Sequence, residues 1–248
     1  MIILKSAQEI EKMRVAGQVT ARALAGVAAA IRPGVTTAEL DRIAEEAIRK
    51  EGGVPAFKGY RGFPGSVCLS VNDVVVHGIP GDQVLHEGDI LSVDIGAVVD
   101  GYYGDMARTY PVGQISDEAQ HLLTVTWEAL QRGIAAARPG GRLGDISAAV
   151  QRYVESHGYS VVREFVGHGI GRKMHEDPPV PNYGVAGRGP RLQPGMALAI
   201  EPMVNIGRPD VRILPDGWTT VTADHSLSAH FENTIVITET GVEILTRA

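Results

Sequence analysis

Apolar and polar positions along the chain alternate between two textures. Ser6-Ala7-Gln8-Glu9 has the spacing of a capping box, and Ile10, Met13 and Val15 lead from it into an alanine-rich run. That pattern predicts a long helix over 7–31. Arg32-Pro33-Gly34 stops it, and Thr37-Ala38-Glu39-Leu40 opens a second helix that should end near Gly52-Gly53. From 66 to 110 the periodicity changes to short β-branched runs, such as Val74-Val75-Val76 and Ile90-Leu91-Ser92-Val93, broken by glycines. These read as strands and turns.

The order then restarts. Ser116-Asp117-Glu118 precedes a third helix to about 137, Arg138-Pro139-Gly140 follows, a fourth helix spans about 143–157, and glycine-rich strands run to the end. The two Arg-Pro-Gly stops lie 106 positions apart, and at the same offset Gly52 meets Gly158, Glu39 meets Asp145 and Leu40 meets Ile146. Gly88-Asp-Ile-Leu-Ser-Val-Asp94 likewise resembles Gly195-Met-Ala-Leu-Ala-Ile-Glu201: a turn glycine, an apolar strand and an acid six residues later. A two-copy unit of this length is too long for a solenoid repeat. It predicts an α+β fold in which halves of about 6–110 and 116–248 pack around a pseudo-twofold axis as one catalytic domain.

Composition narrows the function classes. With 44% hydrophobic residues the chain can bury a sizeable core, and 23 Lys and Arg against 29 Asp and Glu leave a net charge of −6. Nothing there favours a nucleic-acid partner. The single cysteine, Cys68, permits no intrachain disulfide. With no signal-peptide core and no apolar run approaching the ~20 residues of a membrane span, this predicts a cytoplasmic chain.

The acids carry the chemistry. Asp94 sits in the apolar run Leu91 to Gly96, and Asp105 follows eleven residues later behind Gly-Tyr-Tyr-Gly, read as the turn between neighbouring antiparallel strands. Glu201 holds the repeat position of Asp94, and Glu232 leads into the strand Thr234 to Ile237. Buried carboxylates that converge repel one another, and divalent cations relieve that repulsion. His168 lies among Gly167, Gly169 and Gly171, expected to let backbone approach a bound group, and its His-Gly-Ile is echoed at His77. His86, His121, His157 and His225 read as surface or capping residues. His175-Glu176 is no zincin motif, because Pro178 and Pro179 follow.

At these residues the chain resembles the short bacterial type I methionine aminopeptidases. The resemblance rests on His77-Gly-Ile-Pro80, the Asp94 and Asp105 strands, Gly167-His-Gly-Ile-Gly-Arg172 through His175-Glu176, Ile200-Glu-Pro-Met203 and Ser226-Leu-Ser-Ala-His-Phe-Glu232. It implies the duplicated α+β pita-bread fold, and two divalent ions on Asp94, Asp105, His168, Glu201 and Glu232, with Asp105 and Glu232 bridging. A carboxylate-rich set with one imidazole suits Mn²⁺, Fe²⁺ or Co²⁺, with Zn²⁺ or Ni²⁺ as further candidates. Glu201 is implied to shuttle the proton, His175 to stabilise the oxyanion and His77 to contact the scissile amide. Tyr60, Phe63, Cys68, Met203 and Trp218 are implied to hold the methionine side chain, and Asn72, Val74 and Ser228 a structural monovalent cation. The substrate so implied is the N-terminal methionine of nascent polypeptides before a small second residue. The protein is expected to be a monomer with transient ribosome contact and without a membrane partner.

Three positions depart from the family pattern. Met174 stands for a usual phenylalanine, His230 for a glutamine and Asn233 for a histidine. None belongs to the implied ligand set, so they bear on substrate preference and on the surroundings of the ions.

Overall fold

The computed structural model describes residues 1–247. Helix α1, Ala7–Ala30, begins at the Ser6/Glu9 capping box read from the sequence, and α2, Thr37–Lys50, begins where the Thr36 side chain accepts from the Glu39 amide. Helices α3, Asp117–Ala136, and α4, Leu143–Ser156, follow, capped by the Ser116 hydroxyl and by the Asp145 carboxylate, which accepts from the Arg142 amide. The helices pack in sequential pairs, α1 on α2 and α3 on α4.

Between and behind the pairs lies a nine-stranded sheet. Its strands are β1 (Val54–Pro55), β2 (Val67–Val71), β3 (Ile90–Val99), β4 (Tyr102–Pro111), β5 (Gly167–Gly169), β6 (Glu176–Val180), β7 (Ala197–Ile200), β8 (Glu232–Ile237) and β9 (Val242–Ile244). The spatial order is β1-β3-β4-β8-β7-β5-β6, with β2 beside β3 and β9 beside β8. Every recorded pairing in it is antiparallel. Two three-stranded sheets flank it, one built from Val74–Val76, Val211–Ile213 and Thr220–Thr222, the other from Ser160–Val161, Met203–Asn205 and Ser228–His230.

The interior forms two large apolar bodies. Leu24, Leu40, Ile48, Leu69, Leu91 and Ile95 mark the one under α1 and α2, and Leu122, Leu130, Ile146, Leu198, Ile200 and Ile235 the one under α3 and α4. Helices thus cover one face of the sheet at both ends and leave its middle strands free to present polar groups on the other.

One predicted turn is placed differently. β3 and β4 are joined by Asp100-Gly101, both with positive φ (49° and 76°), and Tyr102, Tyr103 and Gly104 already lie in β4. A two-residue Asp-Gly turn with two left-handed residues matches the twist of a tight hairpin, which a Gly-Tyr-Tyr-Gly turn does not.

Candidate metal centre

Strand register brings five predicted residues to one face. In the β3–β4 hairpin Asp94 pairs with Ala107 and Gly96 with Asp105, so the two aspartates are diagonal neighbours on one side of the sheet. Glu232 on β8 also pairs with Ala107, two residues from Asp105 and hence on that side. Asn233 pairs with Ile200 across β8–β7, which sets Glu232 level with Glu201, just past the end of β7. His168 on β5 pairs with Ala199, two residues from Glu201. Four strands of the sheet and the residue just past the end of β7 thus contribute one side chain each to the same face.

The distances agree with the register. His168 Nε2 lies 3.8 Å from Asp105 Oδ2 and 3.5 Å from Glu201 Oε1. Donor atoms of Asp105, His168 and Glu232 all lie within 4.8 Å of one another, as do those of Glu201, His230 and Glu232. His168 Nδ1 faces the Gly169 carbonyl at 2.9 Å. With Nδ1–H donating there, Nε2 keeps a lone pair toward the carboxylates, the orientation a ligand histidine needs.

Burial and mutual repulsion disfavour the charged forms of these acids. Burial, followed by the charge of Asp105, pushes the Asp94 carboxyl well above the carboxylate range. Burial and the neighbouring acids do the same to Glu201 and Glu232, and burial lifts Asp105 to about 7. Burial also lowers His168 to about 4, so its imidazole is neutral. Among the described residues five buried side-chain polar atoms have no hydrogen-bond partner; four are Asp94 Oδ1, Asp105 Oδ1, Glu232 Oε1 and His230 Nε2. Buried polar atoms normally have partners, and this concentration of orphans fits a site made for positive ions.

The glycines around His168 do a different job from the one expected of them. A Cβ at Gly167 would lie 2.3 Å from the Ala199 carbonyl oxygen, and one at Gly169 2.1 Å from that of Asp177. The close approach they permit is to backbone on either side, which lets β5 fit between its neighbours and present His168.

Beside the carboxylates lies a cavity of about 350 Å³. It is lined by all the predicted pocket residues, Tyr60, Phe63, Cys68, His77, His175, Met203 and Trp218, together with Asp94, Asp105, His168, Glu201 and Glu232. Phe63 and Trp218 meet edge to face at 5.2 Å between ring centres, and Met174 is buried against Phe57, Phe63 and Cys68. The His175 ring lies 4.2 Å from that of His168 and its Nδ1 is 2.9 Å from the Tyr60 hydroxyl. His77, with a left-handed φ of 61°, stands edge-on to Phe165 and Trp218. The sequence reading missed Phe57, Arg61, Val76, Glu164, Phe165 and Val166 in this lining; only Val76, adjoining the His77 motif, and Phe165 and Val166, adjoining the Gly167-His168 motif, carried any local signal. Asn233 points elsewhere, accepting from Arg108 Nη2 and donating to Thr246. For the proposed monovalent site, Asn72 and Ser228 are joined by a backbone hydrogen bond, from the Ser228 amide to the Asn72 carbonyl.

Fold and face together define a metal-dependent hydrolase. The profile of metallopeptidase family M24 matches residues 11–239. Methionine aminopeptidase 1 of Bacillus subtilis is 57% identical over 247 residues, covering 100% of both chains. Crystal structures of methionine aminopeptidases from Thermotoga maritima and Rickettsia prowazekii superpose with TM-scores of 0.99 and 0.98 at 51% and 44% identity, each covering 100% of both chains. The chain belongs to the methionine aminopeptidase branch of metallopeptidase family M24 and has its pita-bread fold.

Proposed function

We propose that the whole chain acts as one catalytic domain that hydrolyses the first peptide bond of chains beginning with methionine when the second residue is small. The observation that carries this reading is the meeting of five ligand groups, with orphaned buried oxygens among them, at one side of a cavity whose other wall is apolar and aromatic. Asp94, Asp105, His168, Glu201 and Glu232 would hold two divalent ions, with Asp105 and Glu232 serving both. Bound there, such ions supply Lewis acidity and lower the pKa of water toward neutrality.

The remaining work belongs to the chain's own groups. Glu201 takes the proton of the attacking water on a carboxylate oxygen and passes it to the leaving amine. His175 donates from Nε2 to the carbonyl oxygen as negative charge develops on it. His77, held between Phe165 and Trp218, meets the scissile amide. The thioether lies among Phe63, Cys68, Met174, Met203 and Trp218, and the free amine sits at the Asp94 end of the cluster. Carboxylate-rich coordination favours Mn²⁺, Fe²⁺ or Co²⁺. We place the reaction in the cytoplasm, with the enzyme a monomer meeting nascent chains in transient contact with the ribosome. The lone cysteine fits that compartment, and no helix among the described residues is long and apolar enough to cross a membrane.

The test is methionine release from Met-Ala-Ser by chelated enzyme given Mn²⁺, Co²⁺, Fe²⁺ or Zn²⁺, beside an Ala-Pro substrate. Recovery with Mn²⁺ or Co²⁺, with near-total loss in His168→Ala and Glu201→Ala, is expected. Full activity after chelation, or preference for Ala-Pro, would overturn the reading.

A further inference from the structure

His230 stands outside the five residues discussed, yet its Nε2 is wholly buried without a hydrogen-bond partner and lies 3.6 Å from Glu201 Oε2. On the other oxygen of the same carboxylate, His168 Nε2 lies 3.5 Å away. Both separations exceed the ~2.7–3.2 Å of an N–H···O hydrogen bond. They match instead two donors sharing one ion: bonds of about 2.1 Å at a tetrahedral angle separate their ends by about 3.4 Å. Glu201 is therefore flanked by two imidazole nitrogens in equivalent positions, one per oxygen. Donor atoms of Glu201, His230 and Glu232 converge within 4.8 Å, a set that uses neither Asp105 nor His168.

We propose that His230 is an additional metal ligand, forming with Glu201 and Glu232 an ion position of its own at the edge of the centre. This rests on the metal reading above and extends it. The nitrogen comes from His230, the last residue of the strand Ser228–His230 and paired there with Met203 in a flanking sheet, so the position draws on a strand that the five-residue face does not include. An imidazole beside two carboxylates favours borderline ions such as Co²⁺ or Zn²⁺ over Mn²⁺. The centre should thus hold one Co²⁺ more tightly than carboxylates alone would, while Mn²⁺ gains little.

The chelated full-length chain, its His230→Gln variant and its His168→Gln variant would each be titrated with Co²⁺ alone and with Mn²⁺ alone. Bound ion would be counted by equilibrium dialysis and Co²⁺ coordination followed by visible absorption. Loss of at least tenfold in affinity for one Co²⁺ in H230Q, with a changed absorption band and Mn²⁺ uptake within about twofold of wild type, is expected. The intact protein offers a second measurement that needs no folded variant: long-range ¹⁵N spectra should show the His230 Nε2 resonance shifting as Zn²⁺ is added. Co²⁺ affinity and spectrum unchanged in H230Q but altered in H168Q, or a stationary His230 resonance, would overturn the assignment and leave the centre standing. A wild-type chain that takes up no Co²⁺ would overturn both.

Discussion

Lys5 and Glu176 form an ion pair across 171 positions of the chain, with Nζ 2.6 Å from Oε2 and only 4% and 5% of the two side chains exposed. The other oxygen of Glu176 accepts from the backbone amides of Arg172 and Lys173 at 2.9 and 3.1 Å. One carboxylate therefore closes the bend at 171–175 that carries Met174 and His175 into the cavity, and the N-terminal segment holds it there. Removing the lysine leaves a buried charge without its partner. Lys5→Met should destabilise the protein by roughly 3–5 kcal/mol in urea unfolding and lower kcat as His175 loses its support. Replacing both members, Lys5→Met with Glu176→Leu, should recover much of the stability and little of the activity. A single variant as stable as wild type would show that the pair contributes nothing.

Metal removal should give stability an unusual pH dependence. Folding raises Asp105 to about 7 and Asp94, Glu201 and Glu232 well above their ordinary values near 4. The folded state then binds more protons than the unfolded one, so stability present at low pH is lost as pH rises through the folded values. The histidines oppose this. Burial lowers His77 and His168 to about 4 and His230 to about 3, so their contribution is complete above the unfolded value near 6.5 and is lost as pH falls. As pH rises past 6.5 the histidine contribution levels off, and the raised Cys68 thiol acts in the same direction as the carboxylates. The melting temperature in EDTA should therefore fall from pH 6.5 to 8.5, and Mn²⁺ should raise it most at the alkaline end. A flat or rising profile in EDTA would count against a cluster strained by its own charge.

The acids and His168 were legible in the sequence because each sits where a strand would bury it, and burial of a carboxylate demands compensation. Their convergence was only partly legible. Periodicity gives the face within a strand, but the register that places Glu232 opposite Ala107 and His168 opposite Ala199 depends on pairings between segments more than 100 positions apart or separated by a long loop. The resemblance of motifs supplied that placement. Three features had no local signal. Lys5 carries no motif, Tyr60 is implied only as pocket wall, and His230 stands out only as a departure from the family pattern beside Glu232. Each acquires its part through one side-chain contact, with Glu176, His175 and Glu201 respectively, and such contacts follow from tertiary packing rather than local pattern.

Cys68 pairs with Asp94 across β2 and β3 and is 4% exposed. Burial, followed by the charges of Asp94 and Asp105, pushes its thiol well above the ordinary range. The thiolate is the reactive form, so Cys68 serves as cavity wall and not as nucleophile. Iodoacetamide at pH 8 should leave it unmodified in the native chain and label it fully in urea, as read by intact-protein mass spectrometry. Cys68→Ala should raise KM several-fold with kcat nearly unchanged, the pattern of a contact made equally in ground and transition states. Rapid native labelling would contradict this placement.

Tyr60 and His175 stack with ring centres 5.5 Å apart, and the Tyr60 hydroxyl reaches His175 Nδ1 at 2.9 Å. With that hydroxyl donating, the imidazole proton resides on Nε2, the nitrogen left to face the reacting carbonyl. Burial lowers His175 below its ordinary value, so the ring is neutral at working pH and its tautomer decides whether it can donate at all. Tyr60→Phe keeps the stacked ring and removes only the hydroxyl. It should lower kcat by about tenfold to a hundredfold, as loss of the group that orients a metal-bound histidine does, while KM for Met-Ala-Ser changes little. Tyr60→Leu should raise KM as well, because the aromatic wall goes with the hydroxyl. Equal kcat in wild type and Y60F would mean that the hydroxyl does not set the tautomer, and the oxyanion role of His175 would then need another source of orientation.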